Sequence, residues 1–418
     1  MRIAHILRKY VPAEWGGTET ALQRLAEGLA AQDVTSAVYF PAAAASAGPD
    51  PLCDAGCEMH PFHACVPIWG LSPVARRQML AVGGNLLSFD LPWMLARDQA
   101  VDVVHSHVLG RIGGIAGTVA RRRHLPFVVT VHGGVLDLPP GLKADLNSSA
   151  HGGLEWGRLF GWWWRARHVL AEADAILTCN QREAALLQEQ HPRQRVVVQP
   201  HGVNTRYFRT DQRDAARKAF PLIQGRDVLL ALARIDPVKN QLWVVRQLPR
   251  IVARHPRALL VLAGACTNAD YGVELHREIR QLGLSEHVLL TGGLSPGTPE
   301  VAGLLQEARV ALLPSVSETF GLVVLESWAA GASVLASRTT GALALVRDGE
   351  NGSLFDLAQP EEFHAKLDRL LREPVWRARL AAAGARGADG YDTAVLARRV
   401  KDLYATLCDE KNALRDSA

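Results

Sequence analysis

The chain lacks the features that would place it in several large classes. No run approaches the eighteen or so uninterrupted apolar residues that a membrane span requires. No strand-like segment is followed by G-x-G-x-x-G, which removes the nicotinamide oxidoreductases, and there is no Walker A loop. Cysteine is sparse, 6 in 418 residues, too few for a disulfide scaffold, so a reducing cytoplasm is the default. Neither sign of charge dominates. The formal net charge of +4 is evenly spread, without a long basic run, zinc-finger or RNP pattern, which argues against nucleic acid as a partner. Lysine is scarce beside arginine and alanine, a composition that fits a high-GC bacterial source. Residues 1–9 are charged too early for a signal peptide and read as a first buried strand.

What is present is an ordinary globular composition, 48% hydrophobic and 21% charged, in a chain too long for one core. Short apolar, β-branched runs recur at residues 3–7, 36–40, 101–105, 127–131, 175–179 and 196–199, then at 228–233, 259–263, 288–291, 310–314 and 333–336. Each is followed by a helix-like stretch. Uninterrupted apolar strands between helices imply parallel sheets covered on both faces. Right-handed crossovers then give doubly wound α/β domains, with enough strands for two. The seam is expected at residues 199–204, where Pro200 and Gly202 punctuate a strand end, with a connecting helix over 211–220. Residues 391–407 carry Val395, Leu396, Val400, Leu403 and Leu407 at helical spacing.

The strongest chemical signal runs from Leu313 to Gly331. A strand ends at Pro314, a polar turn follows, and a helix is expected from Phe320 to its stop at Gly331. Such a unit places the backbone N–H groups of Phe320, Gly321 and Leu322 at a helix N-terminus, a seat for a diphosphate. Glu318 lies beyond the strand's carboxyl end, where open α/β sheets bind ligands, and Glu326 falls two turns along the helix. One carboxylate can accept hydrogen bonds from sugar hydroxyls and the other from a ribose diol. Taken alone, two glutamates at this spacing read more readily as a surface loop acid and a solvated helix face than as ligands of a sugar.

The flanking residues decide between these. Glu318-Thr319-Phe320-Gly321-Leu322 continuing to Glu326, then Ala329-Ala330-Gly331-Ala332-Ser333-Val334-Leu335-Ala336-Ser337, closely resembles the E-x7-E signature of family 4 glycosyltransferases. The resemblance extends over nearly the whole chain, strongest over residues 227–356 and weakest over 42–98 and 137–167. It implies the GT-B fold, two Rossmann-like domains facing a central cleft, with residues 1–204 binding acceptor and 205–390 binding nucleotide sugar. It also implies that residues 391–418 cross back to the first domain.

Further matches follow in order. Ala233-Arg234-Ile235-Asp236-Pro237-Val238-Lys239-Asn240 resembles the family's basic phosphate loop, in which Arg234 and Lys239 would neutralise the departing diphosphate. Trp15-Gly16-Gly17-Thr18-Glu19 matches its G-G-x-E loop, placing Gly16 and Gly17 against the donor, with Glu19 either structural or acceptor-side. Residues 341–355 match the turn before its last strand and support the fold rather than the chemistry. His132, at the end of Val128-Val129-Thr130-Val131-His132-Gly133-Gly134, matches a histidine that touches the transferred sugar. His105 and His107 resemble the family's D-V-V-H-x-H strand end and read mostly as structural, with His107 open to an acceptor-side role.

The resemblance implies retention of configuration, with the leaving phosphate assisting deprotonation of the acceptor and no covalent nucleophile. Glu318 is then a ligand of sugar hydroxyls, not an acid catalyst. No D-x-D sits at a strand end, so neither metal nor cofactor is expected beyond the nucleotide-sugar co-substrate. A UDP-hexose or GDP-mannose donor and a bacterial glycan or lipid-linked acceptor fit best, in polysaccharide or glycoconjugate synthesis. The alternatives are a sugar-nucleotide epimerase or phosphorylase on the same fold, or a non-enzymatic sugar-binding protein; retention of Gly17, His132, Arg234, Lys239, Glu318 and Glu326 argues against them. Cys53, Cys57, His60, His63 and Cys65 lack the C-x2-C spacing of a zinc knuckle and read as a loop with incidental soft residues. Trp162, Trp163 and Trp164, with Arg158, Arg165 and Arg167, cannot all be surface on one helix, but leave a peripheral membrane contact open.

Overall fold

The computed structural model describes residues 1–11, 16–42, 50–84, 86–132, 154–295 and 297–416. They form two compact units, Met1–His201 with Thr393–Ala418, and Gly202–Asp392.

The first unit is built on seven parallel strands: β1 (Arg2–Ile6), β2 (Thr35–Pro41), β3 (Glu58–Phe62), β4 (Val103–Ser106), β5 (Phe127–Val131), β6 (Ala175–Thr178) and β7 (Arg195–Val198). Their spatial order is β3-β2-β1-β4-β5-β6-β7, so the winding reverses between β1 and β4. Residues Ile3–Ile6 and all of β4 are buried, as strands covered on both faces require. β3 is not among the expected strands. Glu58, His60 and Pro61 break the apolar pattern, and the segment succeeds as a strand because it lies at the sheet edge, where proline costs no ladder bond.

Helix α1 (Gly17–Ala30) follows β1, and the C-terminal helix α2 (Thr393–Asp416) packs against it. Ala397, Val400, Tyr404 and Leu407 of α2 join Ile3, Val103, Val128 and Ala175 in one core cluster. The return of the C-terminal helix to the first unit, expected from the resemblance, is therefore observed. Leu396 is buried as expected and Leu403 partly so, whereas Val395 faces solvent at 43% exposure.

The second unit has six parallel strands: β8 (Asp227–Leu232), β9 (Ala258–Ala263), β10 (Val288–Gly292), β11 (Val310–Leu313), β12 (Ser333–Ser337) and β13 (Ser353–Phe355). Their order is β10-β9-β8-β11-β12-β13, again doubly wound, with the reversal between β8 and β11. Every residue of β9 is fully buried. The connecting segment forms two short helices, Thr205–Arg209 and Arg213–Ala219, where one was expected.

Candidate active site

Ligands of doubly wound sheets bind outside the carboxyl ends of the strands where the winding reverses. In the second unit that point lies between β8 and β11, and the loops following these two strands carry Arg234, Lys239 and Glu318. Backbone and side chains stitch the loops together. Val316 donates its N–H to the Val238 carbonyl at 2.8 Å, and the Asn240 amide nitrogen donates to the Pro314 carbonyl at 3.2 Å. Asp236 accepts from the Val238 and Lys239 N–H groups, closing the first loop into a tight turn. Gly264, after β9, is forced by close approach: a Cβ there would lie 2.1 Å from the Ala233 carbonyl oxygen.

Lys239 Nζ donates to Glu318 Oε2 at 2.5 Å, with both side chains about one-fifth exposed. The two residues assigned to different parts of the donor thus pair with each other here. Arg234 is half-exposed, its guanidinium 3.4 Å from Asp236, and its carbonyl accepts from the Gln241 side chain.

Helix α3 (Leu322–Ala329) begins two residues later than expected, because Gly321 adopts the left-handed conformation (φ 91°) that ends the loop. Phe320 therefore precedes the helix, its ring buried and 6.3 Å from Tyr391, while Leu322 opens the first turn. Val324 donates its N–H to the Gly321 carbonyl at 2.9 Å, while the N–H groups of Leu322 and Val323 stand at the helix start, where the helix dipole adds partial positive charge. Glu326 lies on α3, half-buried, and the helix stops at Ala329 ahead of Gly331. Gly341, read from sequence as fold support, seats the Glu318 loop. Its N–H donates to the Glu318 carbonyl at 2.7 Å, and a Cβ there would strike the Phe320 backbone at 2.6 Å.

In the first unit the reversal lies between β1 and β4, and histidines cluster at it. His5 Nδ1 pairs with His107 Nε2 at 3.1 Å, and His107 Nδ1 with His132 Nε2 at 2.8 Å. His105 is held between Tyr404 Oη and Thr130 Oγ1, both at 2.6 Å. His201 stacks on His132 with ring centroids 5.4 Å apart. Burial depresses all five, His5 to about 3 and His201 to about 4, so the rings are neutral near pH 7. Sequence reasoning noted His132 and half-noted His107. It missed His5, whose signal was a polar residue inside an apolar strand, and His201, hidden in the seam.

Gly16 caps α1 and Gly17 opens it, neither with positive φ, and a Cβ on Gly17 would meet nothing within 4 Å. Glu19 is buried, its carboxylate 3.0 Å from where a Gly16 Cβ would stand. Trp15, Gly133 and Gly134 lie outside the described residues.

The residues considered for zinc do not assemble. Cys53 is exposed, Cys57 buried, His60 stacks on Tyr39, and His63 pairs with Asp90. His5, His105 and His107 do bring nitrogens within 4.8 Å of one another. Both ring nitrogens of neutral His105 are, however, engaged by Tyr404 and Thr130, so hydrogen bonding already uses the one ring lone pair an ion would need.

Two doubly wound units, with an acidic residue, two basic residues and a helix start gathered at the reversal of the second, have the architecture of glycosyltransferases of the GT-B type. Residues 212–387 match the family described as glycosyl transferases group 1, and residues 16–202 match the glycosyl transferase 4-like domain. A D-inositol 3-phosphate glycosyltransferase of Frankia alni is 32% identical over 321 residues, 72% of this chain and 74% of the relative. One from a Nocardioides species is 28% identical over 406 residues, 93% of this chain and 85% of the relative. Among solved structures, Anabaena HepE in complex with UDP and glucose superposes with a TM-score of 0.73 at 18% identity, covering 97% of this chain and 100% of that one. WaaG, a glycosyltransferase involved in lipopolysaccharide biosynthesis, gives 0.64 at 18% identity, covering 96% and 99%. The chain belongs to the family 4 glycosyltransferases and is an enzyme of the hexosyltransferase kind.

Proposed function

We propose that the protein transfers a hexosyl group from a nucleoside-diphosphate hexose to a glycan or lipid-linked acceptor, with retention of configuration and without a metal ion. The observation that carries this reading is the convergence of Lys239, Glu318 and the N-terminus of α3 at the reversal between β8 and β11. The diphosphate would take the α3 N-terminus and the charges of Arg234 and Lys239, which stabilise negative charge developing on the leaving group. Glu318 would exchange its bond to Lys239 for the sugar hydroxyls, and Glu326 would accept from the ribose diol. His132 would meet the transferred sugar from the first unit, with Gly16 and Gly17 leaving room for the donor. HepE is described in complex with UDP-glucose, which favours a UDP-linked donor over GDP-mannose here. The inositol-phosphate relatives make D-inositol 3-phosphate the first acceptor to assay.

Calorimetric titration with UDP, GDP and their sugars tests the donor half. One nucleotide should bind with micromolar affinity, and Glu326→Ala should weaken it about tenfold, the cost of about 1.4 kcal/mol in charged hydrogen bonding. Equal, negligible binding of all of them would sink the reading.

A peripheral membrane contact is favoured by one feature of the first unit. Every exposed aromatic side chain among the described residues lies between Trp69 and Trp163: Trp69, Phe89, Trp93, Trp162 and Trp163. Ring contacts run from Trp69 to Trp156, Phe160 and Phe89. Trp164 packs on the core, so the triple tryptophan divides between core and surface. Arg158 is highly exposed beside Leu159, and Arg97 lies over Trp93. Tryptophan with arginine is the composition of a lipid headgroup interface. No helix among the described residues is long and apolar enough to cross a membrane. Residence in the cytoplasm, with this face on the inner leaflet, follows from the proposal.

A further inference from the structure

The file His5–His107–His132 crosses the carboxyl ends of β1, β4 and β5, three neighbouring strands. Its two terminal nitrogens, His5 Nε2 and His132 Nδ1, are buried and have no hydrogen-bond partner among the described residues. Burial depresses all three rings, and the charge of Arg8 and the neighbouring imidazoles His105 and His201 act in the same direction, so each ring carries one proton.

Three protons on six nitrogens, with both internal bonds made, leave two arrangements. In the first, every ring is protonated at Nε2: His132 donates to His107, His107 to His5, and the His5 Nε2–H is left without an acceptor. In the second, every ring is protonated at Nδ1: His5 donates to His107, His107 to His132, and the spare donor is His132 Nδ1–H. The arrangements have equal numbers of bonds and differ in where the orphan donor lies. His5 is fully buried in β1, an interior strand of the sheet, whereas His132 follows its strand and, although its Nδ1 is covered, part of its side chain is exposed. A buried N–H without an acceptor is the rarer and costlier defect, and only the second arrangement places it on a partly exposed side chain just beyond a strand's carboxyl end, where doubly wound sheets receive ligands.

We propose that His5 and His107 are positioning residues that hold His132 as its Nδ1–H tautomer, so that it donates a hydrogen bond to an oxygen of the bound sugar. The choice of sugar oxygen as acceptor rests on the transferase reading; the tautomer itself does not. The device works against the slight preference of a free histidine for Nε2–H, which is why a file of fixed rings is needed to impose it. It also makes His132 a neutral donor rather than a base, in keeping with a reaction whose proton leaves with the phosphate.

The test is long-range proton–nitrogen correlation on full-length protein labelled with nitrogen-15 histidine at pH 8, with peaks assigned by loss in His5→Gln, His107→Gln and His132→Gln. Nδ1–H patterns for all three rings are expected; Nε2–H patterns overturn the proposal whether or not the enzyme turns over. In His107→Phe, His132 should revert to Nε2–H and kcat should fall ten- to a hundredfold, with KM for the donor changed less than threefold. A His132 that keeps its Nδ1–H in that variant would equally overturn the role given to His107. Absence of sugar transfer with any donor, alongside the Nδ1–H pattern, would count against the transferase reading and leave the tautomer established.

Discussion

Lys239 and Glu318 pair with each other, so a diphosphate drawing on Lys239 competes with a carboxylate. Glu318→Gln removes the competitor but also removes a sugar ligand. Its expected signature is therefore split: free UDP binds about fivefold tighter, the equivalent of about 1 kcal/mol for a partly exposed pair, while turnover with the nucleotide sugar falls. Weaker UDP binding in this variant, measured by calorimetry, would show that the carboxylate aids the nucleotide rather than opposing it. The places of Arg234, Lys239, Glu318 and Glu326 in the fold were legible in the sequence because each stands at a fixed offset from a strand end or helix start. Their supports were not. Gly264 and Gly341 are needed because another backbone passes within a bond length or two of where a Cβ would be, and that neighbour is more than twenty residues away in each case. Spacing along a chain carries no information about such approaches.

At the level of elements, the strands with uninterrupted apolar runs were found within a residue or two. The two strands outside those runs, β3 and the three-residue β13, show what pattern reading responds to: a central strand announces itself by burial on two faces, whereas a short edge strand, or one with Glu58 and Pro61, does not. The short helix Arg158–Trp163 presents a similar ambiguity, since its Trp162 and Trp163 face solvent while Trp164, the next residue, packs on the core. If its exposed face rests on lipid, full-length protein should sediment with vesicles containing anionic lipid and less with purely zwitterionic ones. Trp162→Ala with Trp163→Ala should then release most of it. Unchanged partitioning of the double variant would remove the membrane from the proposed function.

For the whole molecule, the buried neutral histidines set a pH dependence of stability. A histidine depressed in the folded state, as His5 and His201 are to about 3 and about 4, binds fewer protons there than when unfolded. Its contribution is complete above pH 6.5 or so and is lost as pH falls towards the folded value, at up to about 1.4 kcal/mol per pH unit for each ring. Carboxylates held low by hydrogen bonding, such as Glu362 beside Arg338, begin to lose their contribution only as pH falls into the usual carboxylate range. The urea midpoint should be level from pH 8 to 7 and then fall steadily between pH 6.5 and 4.5, with a shallower fall in His5→Phe. A midpoint indifferent to pH across that interval would contradict neutral burial.

Tyr404 of α2 reaches His105, and Val400 and Leu407 complete the core of the first unit, so a segment made after the second unit finishes the domain begun before it. On the ribosome the second unit has every strand of its sheet in hand while the first still exposes the groove that α2 will fill. Order of synthesis and order of completion are therefore reversed. The first unit must wait, one apolar face uncovered, through the making of nearly two hundred residues that belong to its neighbour.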